Sequence, residues 1–157
     1  MKGRILATLA LFAGASSAMA QTAPQVVTFQ VDAVNQIAFA GAPSLVINTA
    51  TAGSNPTDAT AGATWAVTTN QSGARITASI GSNMPAGLTL SVNLAAPAGA
   101  TSTGAQTLTT VAVDVVTGIT QQAQGGLAAT YSLSATPAAG VVASSTRTVT
   151  YTITGGT

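Results

Sequence analysis

Apolar and polar residues alternate with a period of two along most of the chain after its first twenty residues. The alternation is most regular from Leu88 to Leu94, where apolar side chains occupy every second position. Because successive side chains of a β-strand point to opposite faces of a sheet, this spacing predicts half-buried strands. Runs of the same kind occur at 27–31, 37–39, 45–47, 65–67, 76–80, 108–115, 127–133 and 149–153. The pattern predicts about eight to ten short, mostly antiparallel strands.

Turn-forming residues separate these runs. The longest connection, from Thr49 to Gly62, contains Asn55-Pro56, and Gly125-Gly126 is predicted to be a turn before the run at 127–133. The alternation changes phase at Thr109-Thr110, which predicts a β-bulge. No segment after residue 20 shows helical spacing, so we expect an all-β fold: one Ig-like β-sandwich over residues 21–157.

The first twenty residues have the pattern of a secretory signal peptide. Lys2 and Arg4 precede an apolar run, which is followed by the small residues Ala18-Met19-Ala20. We expect cleavage after Ala20 and a secreted product, extracellular or at the cell surface, with the periplasm as the other destination. No later run reaches eighteen apolar residues, so no membrane span is predicted in the mature chain.

Residues 21–157 contain almost none of the side chains that perform chemistry. The whole chain has no Cys and no His, which removes the usual ligands of zinc and copper and the base of Ser-His-Asp or Cys-His catalysis. We therefore predict no enzyme activity and no cofactor. The only mature cations are Arg75 and Arg147, too few to neutralise many phosphates, so nucleic acid is not an expected partner.

Three aspartates are the only acidic side chains. Asp32 lies near the mature N-terminus, Asp58 in a predicted loop and Asp114 in a predicted strand. Two carboxylates in one cleft would suit glycoside hydrolysis, and Asn55 and Asn83 could join Asp58 in a calcium site. Because no D-x-D spacing accompanies them, we predict solvated and turn-forming charges, with no catalytic residue and no metal ligand.

Two further groups of residues are candidates for ligand recognition. Trp65, Tyr131 and Tyr151 could line a sugar-binding face, but aromatic residues at alternating strand positions are predicted to be core. Near the C-terminus, threonines at period two predict one exposed face of a single strand. Ice-binding surfaces also use ranks of threonine, so an ice-binding role stays an alternative for this face: Thr148, Thr150, Thr152 and Thr154.

The mature N-terminus, residues 21–39, is a candidate linking strand. A near-neutral chain has little charge with which to protect its sheet edges, and a leading strand can cross to a neighbouring subunit and complete its sheet. Such an exchange would also replace the missing disulfides. The candidate donor residues are Val27, Phe29, Val31, Ile37 and Phe39.

The signal peptide, the strands rich in Thr, Ala and Val, and the ending Thr148-Val-Thr-Tyr-Thr-Ile-Thr resemble small secreted β-sandwich proteins of microbial surface filaments and biofilm matrices. The chain departs from chaperone–usher pilins, because it has no Cys and ends Gly155-Gly156-Thr157. The resemblance implies a structural, adhesive subunit that polymerises with itself through donor strands. The alternative is a monomeric secreted module that binds a carbohydrate or a protein, with a ligand that the sequence does not identify.

Overall fold

The structure of this chain is a computed structural model that describes residues 19–156. Most of the predicted signal peptide therefore lies outside the described residues. The chain divides into two units, Met1–Val31 and Asp32–Thr157. In the first unit, residues 19–31 form no helix or strand, and each of them is exposed.

The regular secondary structure of the second unit is almost all β, which confirms the predicted all-β class. About 46% of residues 19–156 are in strands and 2% are helical. A single 3-10 turn spans Pro137–Ala139. The strands are β1 Asn35–Ala40, β2 Ala59–Thr69, β3 Ala74–Ile80, β4 Leu88–Leu94, β5 Thr101–Ser102, β6 Gln106–Thr107, β7 Val113–Ile119, β8 Gln122–Ala135 and β9 Val149–Thr154.

The strands form two antiparallel sheets that pack as a sandwich. Sheet 1 has the order β1-β2-β8-β4-β6, and sheet 2 has the order β5-β7-β3-β9. Strands β1 and β9 are edge strands and face each other across the core, where the rings of Phe39 and Tyr151 stack. The opposite edges are formed by β6 and β5, which are only two residues long.

The inward faces of the central strands form the hydrophobic core. The regular alternation predicted for residues 88–94 is confirmed, since Leu90, Val92 and Leu94 are all buried. Trp65 and Tyr131 are also buried, which confirms the prediction that they belong to the core. The other large buried side chains are Val67, Ile76, Ile80, Leu108, Val115, Val116, Ile119 and Leu127. Their burial supplies the main stabilisation of a chain without disulfides.

The predicted bulge at Thr109-Thr110 is instead a crossing between the two sheets. The N–H of Leu108 donates to the carbonyl of Leu90 in sheet 1, and the carbonyl of Thr109 accepts from the N–H of Ile80 in sheet 2. The alternation changes phase here because the chain exchanges one sheet for the other.

Two other predicted features also differ from the structure. Gly125-Gly126 lies inside β8, where the register shifts opposite Trp65 and Val67. The φ of Gly126 is 69°, a conformation that glycine adopts easily at a bulge. The run at 45–47 forms no strand, although Leu45 packs on the core. Pro43 has no N–H to give to a ladder and restricts the preceding residue.

Candidate assembly surfaces

The predicted donor residues fall into two groups with different surroundings. Val27, Phe29 and Val31 lie in the first unit and expose 72%, 91% and 81% of their surface. Ile37 and Phe39 lie in β1, opposite Val67 and Trp65 of β2 in the same chain. Ile37 and Phe39 are therefore part of the subunit's own sandwich, and the candidate linking segment shortens to residues 21–31, called the arm below.

The arm carries an unusual density of exposed apolar surface. Val26 is 93% exposed and precedes the alternating residues Val27, Phe29 and Val31. Large apolar side chains in contact with water are unfavourable, and contiguous patches of them commonly mark interaction sites. Pro24 lies just before this run and Asp32 just after it, so the segment with strand-like alternation is short and well bounded.

The outer edge of β9 is not paired with any strand in the described part of the chain. β9 pairs with β3 in a register that places Thr152 opposite Thr77, and in the same register the N–H of Gly81 donates to the carbonyl of Thr148. Hydrogen-bonded pairs alternate along an antiparallel ladder. The even-numbered threonines of β9 therefore bond to β3, and the N–H and C=O groups of Val149, Tyr151 and Ile153 point away from the sheet.

The outer edge of β1 has the same arrangement. The N–H of Asn70 donates to the carbonyl of Val34, which continues the register that places Ala38 opposite Ala66 of β2. By the same alternation, the backbone groups of Ile37 and Phe39 point outward. Within residues 19–156, no strand pairs with this edge either.

A half-buried aromatic cluster lies between these two edges. The ring of Phe39 stacks on Tyr151 with 3.9 Å between centroids, and on Trp65 with 6.1 Å. The hydroxyl oxygens of Tyr131 and Tyr151 are 2.8 Å apart. Burial, assisted by this hydrogen bond, raises the pKa of Tyr151 far above its usual range. The inward side chains of β1 and β9 remain only partly covered, in contrast to those of β3 and β4.

The start of the sandwich is held by a hydrogen-bonded clamp that sequence reasoning missed. The side chain of Asn70 accepts from the N–H of Val34 at 2.8 Å and donates to the carbonyl of Asp32 at 2.7 Å. Nearby, the hydroxyl of Thr69 donates to the side chain of Asn35 at 2.7 Å. In the sequence Asn70 is visible only as a turn residue and as the start of an Asn-x-Ser sequon. The clamp fixes where the chain enters β1.

The threonines near the C-terminus lie on an exposed face of the sandwich. Thr150, Thr152 and Thr154 lie on the outer side of β9, with Thr148 just before the strand. The neighbouring strand adds Thr77 and Ser79 in register, so the outer face of sheet 2 carries a second rank of hydroxyl groups. Beside this rank, Arg75 and Asp114 form an exposed ion pair at 3.7 Å, a kind that contributes little to stability.

An open apolar cavity lies at another corner of the sandwich, where the chain crosses between the sheets. Its volume is about 370 Å³, within the range of small-ligand sites. No charged side chain lines it. The lining residues are Asn83, Met84, Leu88, Thr89, Leu90, Thr107, Leu108, Thr109, Thr110 and Val111. The side chain of Asn83 is already engaged there, because it accepts from the N–H of Thr110 at 3.3 Å.

The three carboxylates considered for metal binding do not form one cluster among the described residues. In the portion of the chain that the structure describes, no group of three or more His, Cys, Asp or Glu side chains is placed to hold a metal ion. Residues 19–156 also contain no helix long and apolar enough to cross a bilayer. Comparisons with protein-family models, curated proteins and solved structures found no match to this chain.

Proposed function

We propose that this protein is a secreted structural subunit of an extracellular surface filament or matrix, and that it assembles by β-strand addition between copies. One observation carries the proposal: the same chain has an exposed, alternating apolar arm and two sheet edges that no other strand among residues 19–156 pairs with. The arm supplies Val27, Phe29 and Val31, and the edges are backed by half-covered apolar side chains. Each feature is unfavourable in water alone, and pairing them removes both penalties.

The charge of the chain supports association. Residues 21–157 contain two arginines and three aspartates, so little electrostatic repulsion opposes the approach of two copies. β9 has no charged residue and no proline between Val149 and Thr154, and these are the features with which soluble proteins usually protect an edge strand. The absence of cysteine leaves strand exchange as the route to a mechanically strong chain of subunits.

The proposal is tested by removing the arm. Residues 21–157 and the truncated chain 32–157 are purified and compared by analytical ultracentrifugation at micromolar concentration. Truncation begins at Asp32 because the Asn70 clamp and every strand lie from there onward. We expect large assemblies of the complete mature chain and monomers of the truncated chain, with the same fluorescence from the single Trp65. Monomers of both chains at all concentrations would refute the proposal.

A monomeric binding module is the second candidate function, and the cavity at the sheet crossing favours it. Its lining of apolar and uncharged polar side chains suits an uncharged small ligand. Replacing the exposed Val111 with Asp would then abolish ligand binding by a chain that stays monomeric with or without the arm. If the protein is a filament subunit, its assembly should depend on the arm and should not change on replacing Val111 with Asp.

A further inference from the structure

We propose that residues 27–31 of one copy add antiparallel to the free edge of β9 in a second copy, with Phe29 directly opposite Tyr151. This inference rests on the proposed function and names its acceptor site. In this register Val27 lies opposite Ile153, and Val31 lies opposite Val149.

The backbone geometry of β9 restricts the possible registers to every second one, and the match of three apolar arm residues to Val149, Tyr151 and Ile153 favours this one. The N–H and C=O groups of Val149, Tyr151 and Ile153 point to the open edge, whereas those of the threonines are used by β3. An incoming strand must therefore form its hydrogen-bonded pairs with the odd-numbered residues of β9. Directly opposite residues in a ladder have their side chains on the same face of the sheet.

The alternation of apolar and polar side chains in the arm fits the same pairing with the odd-numbered residues of β9. Tyr151 and its neighbours Val149 and Ile153 face the core, so the residues opposite them also face the core, and these are the apolar residues of the arm. Thr28 and Gln30 then face outward and lie opposite Thr152 and Thr150. The incoming strand thus extends the core on one face and the rank of polar side chains on the other. A shift by one residue would bury Thr28 and expose Phe29.

The number of strands favours β9 over β1 as the acceptor. Sheet 1 has five strands and sheet 2 has four. β1 faces β9 through the contact between Phe39 and Tyr151, and a fifth strand beside β9 would continue sheet 2 past this contact. It would bring both sheets to five strands and would cover the partly buried side chains of β9 from the open edge. A strand added to β1 would instead extend the longer sheet and leave β9 open.

Engineered disulfides test the register, because the chain has no cysteine of its own. Thr28 and Thr152 are exposed and become a non-hydrogen-bonded pair in the proposed ladder, with a Cα separation of about 4.5 Å, which a disulfide can bridge. The mature T28C/T152C variant is oxidised at micromolar concentration and resolved on a non-reducing gel. T28C/T64C is the matched control, since Thr64 lies on the outer face of sheet 1.

We expect T28C/T152C to form a ladder of covalent multimers, with about tenfold or more cross-linked product than the control because the pair is held in contact. Three results would overturn the inference while leaving assembly by the arm intact. A ladder from T28C/A38C would assign the acceptor to β1, and one from T28C/T150C would indicate either a parallel strand or an antiparallel strand shifted by two residues. A cross-linked monomer would show that the arm covers β9 of its own chain. No ladder from any pair, together with monomers in ultracentrifugation, would refute the proposed function itself.

Discussion

The substitution Val27→Ser should weaken assembly and leave the subunit fold unchanged, whereas Val26→Ser should change neither. The two valines are adjacent and both strongly exposed, at 72% and 93%. In the proposed register Val27 faces the core of the acceptor, and Val26 faces solvent opposite Thr154. Both substitutions make the same chemical change, so a difference between them reports only the direction in which the side chain points.

The magnitude follows from burial. Burying a valine side chain contributes about 1.5–3 kcal/mol, and the exposure of Val27 in the free subunit leaves most of this for assembly. A buried serine hydroxyl without a partner adds a further penalty of about 1–3 kcal/mol. Taking about 2 kcal/mol as a conservative total, we expect Val27→Ser to raise the critical concentration for assembly roughly 30-fold.

The assay combines two measurements on each variant. Pelleting over a concentration series gives the critical concentration, and urea unfolding followed by Trp65 fluorescence gives the stability of the subunit. The free energy of unfolding should stay within about 0.5 kcal/mol of the unsubstituted protein for both variants, because both sites are exposed. An equal loss of assembly from Val26→Ser and Val27→Ser would refute the proposal that Val27 faces the core of the acceptor and Val26 faces solvent. No loss from Val27→Ser would refute the role of the arm in assembly.

Three further predictions concern the sandwich. Ile76→Ala should lower the free energy of unfolding in urea by about 2–5 kcal/mol, since Ile76 is fully buried in β3. Asn70→Ala should cost about 1–2 kcal/mol through the loss of two hydrogen bonds and should speed hydrogen exchange at the Val34 amide. The pKa of Tyr151 is raised in the folded protein, so the contribution of its hydroxyl to stability is fully present below the pKa of the unfolded chain, near 10. Above that pH the free energy of unfolding should fall by at most about 1.4 kcal/mol per pH unit, less with solvent screening. Tyr151→Phe should remove this alkaline fall in urea titrations.

The sequence predicted the strands whose inward faces form the core. It did not show which strand-like segments have a pairing partner within the subunit. The alternation at residues 88–94 corresponds to β4, and the run at 149–153 corresponds to β9. Period-two spacing reports which faces are buried, and it contains no information about which edge supplies the hydrogen bonds. Val27 and Phe29 have strand-like spacing, yet they form no strand in the free subunit, because a strand requires a partner.

The details of the candidate site were less predictable for the same reason. Ile37 and Phe39 were grouped with the arm because they share its spacing, but β2 pairs with them. The Asn70 clamp joins residues far apart in the chain, and a single sequence does not indicate such a contact. The sheet crossing at Thr109 appears in the sequence only as a change of phase, which a bulge would also produce.

The most direct test of the account is electron microscopy of the mature protein, residues 21–157, purified from its native surface and also refolded at micromolar concentration. The account predicts regular filaments in which each subunit contributes one strand to the next, and it predicts their loss in the chain that begins at Asp32. Dispersed particles of single-subunit size in both preparations, at every concentration, would contradict it.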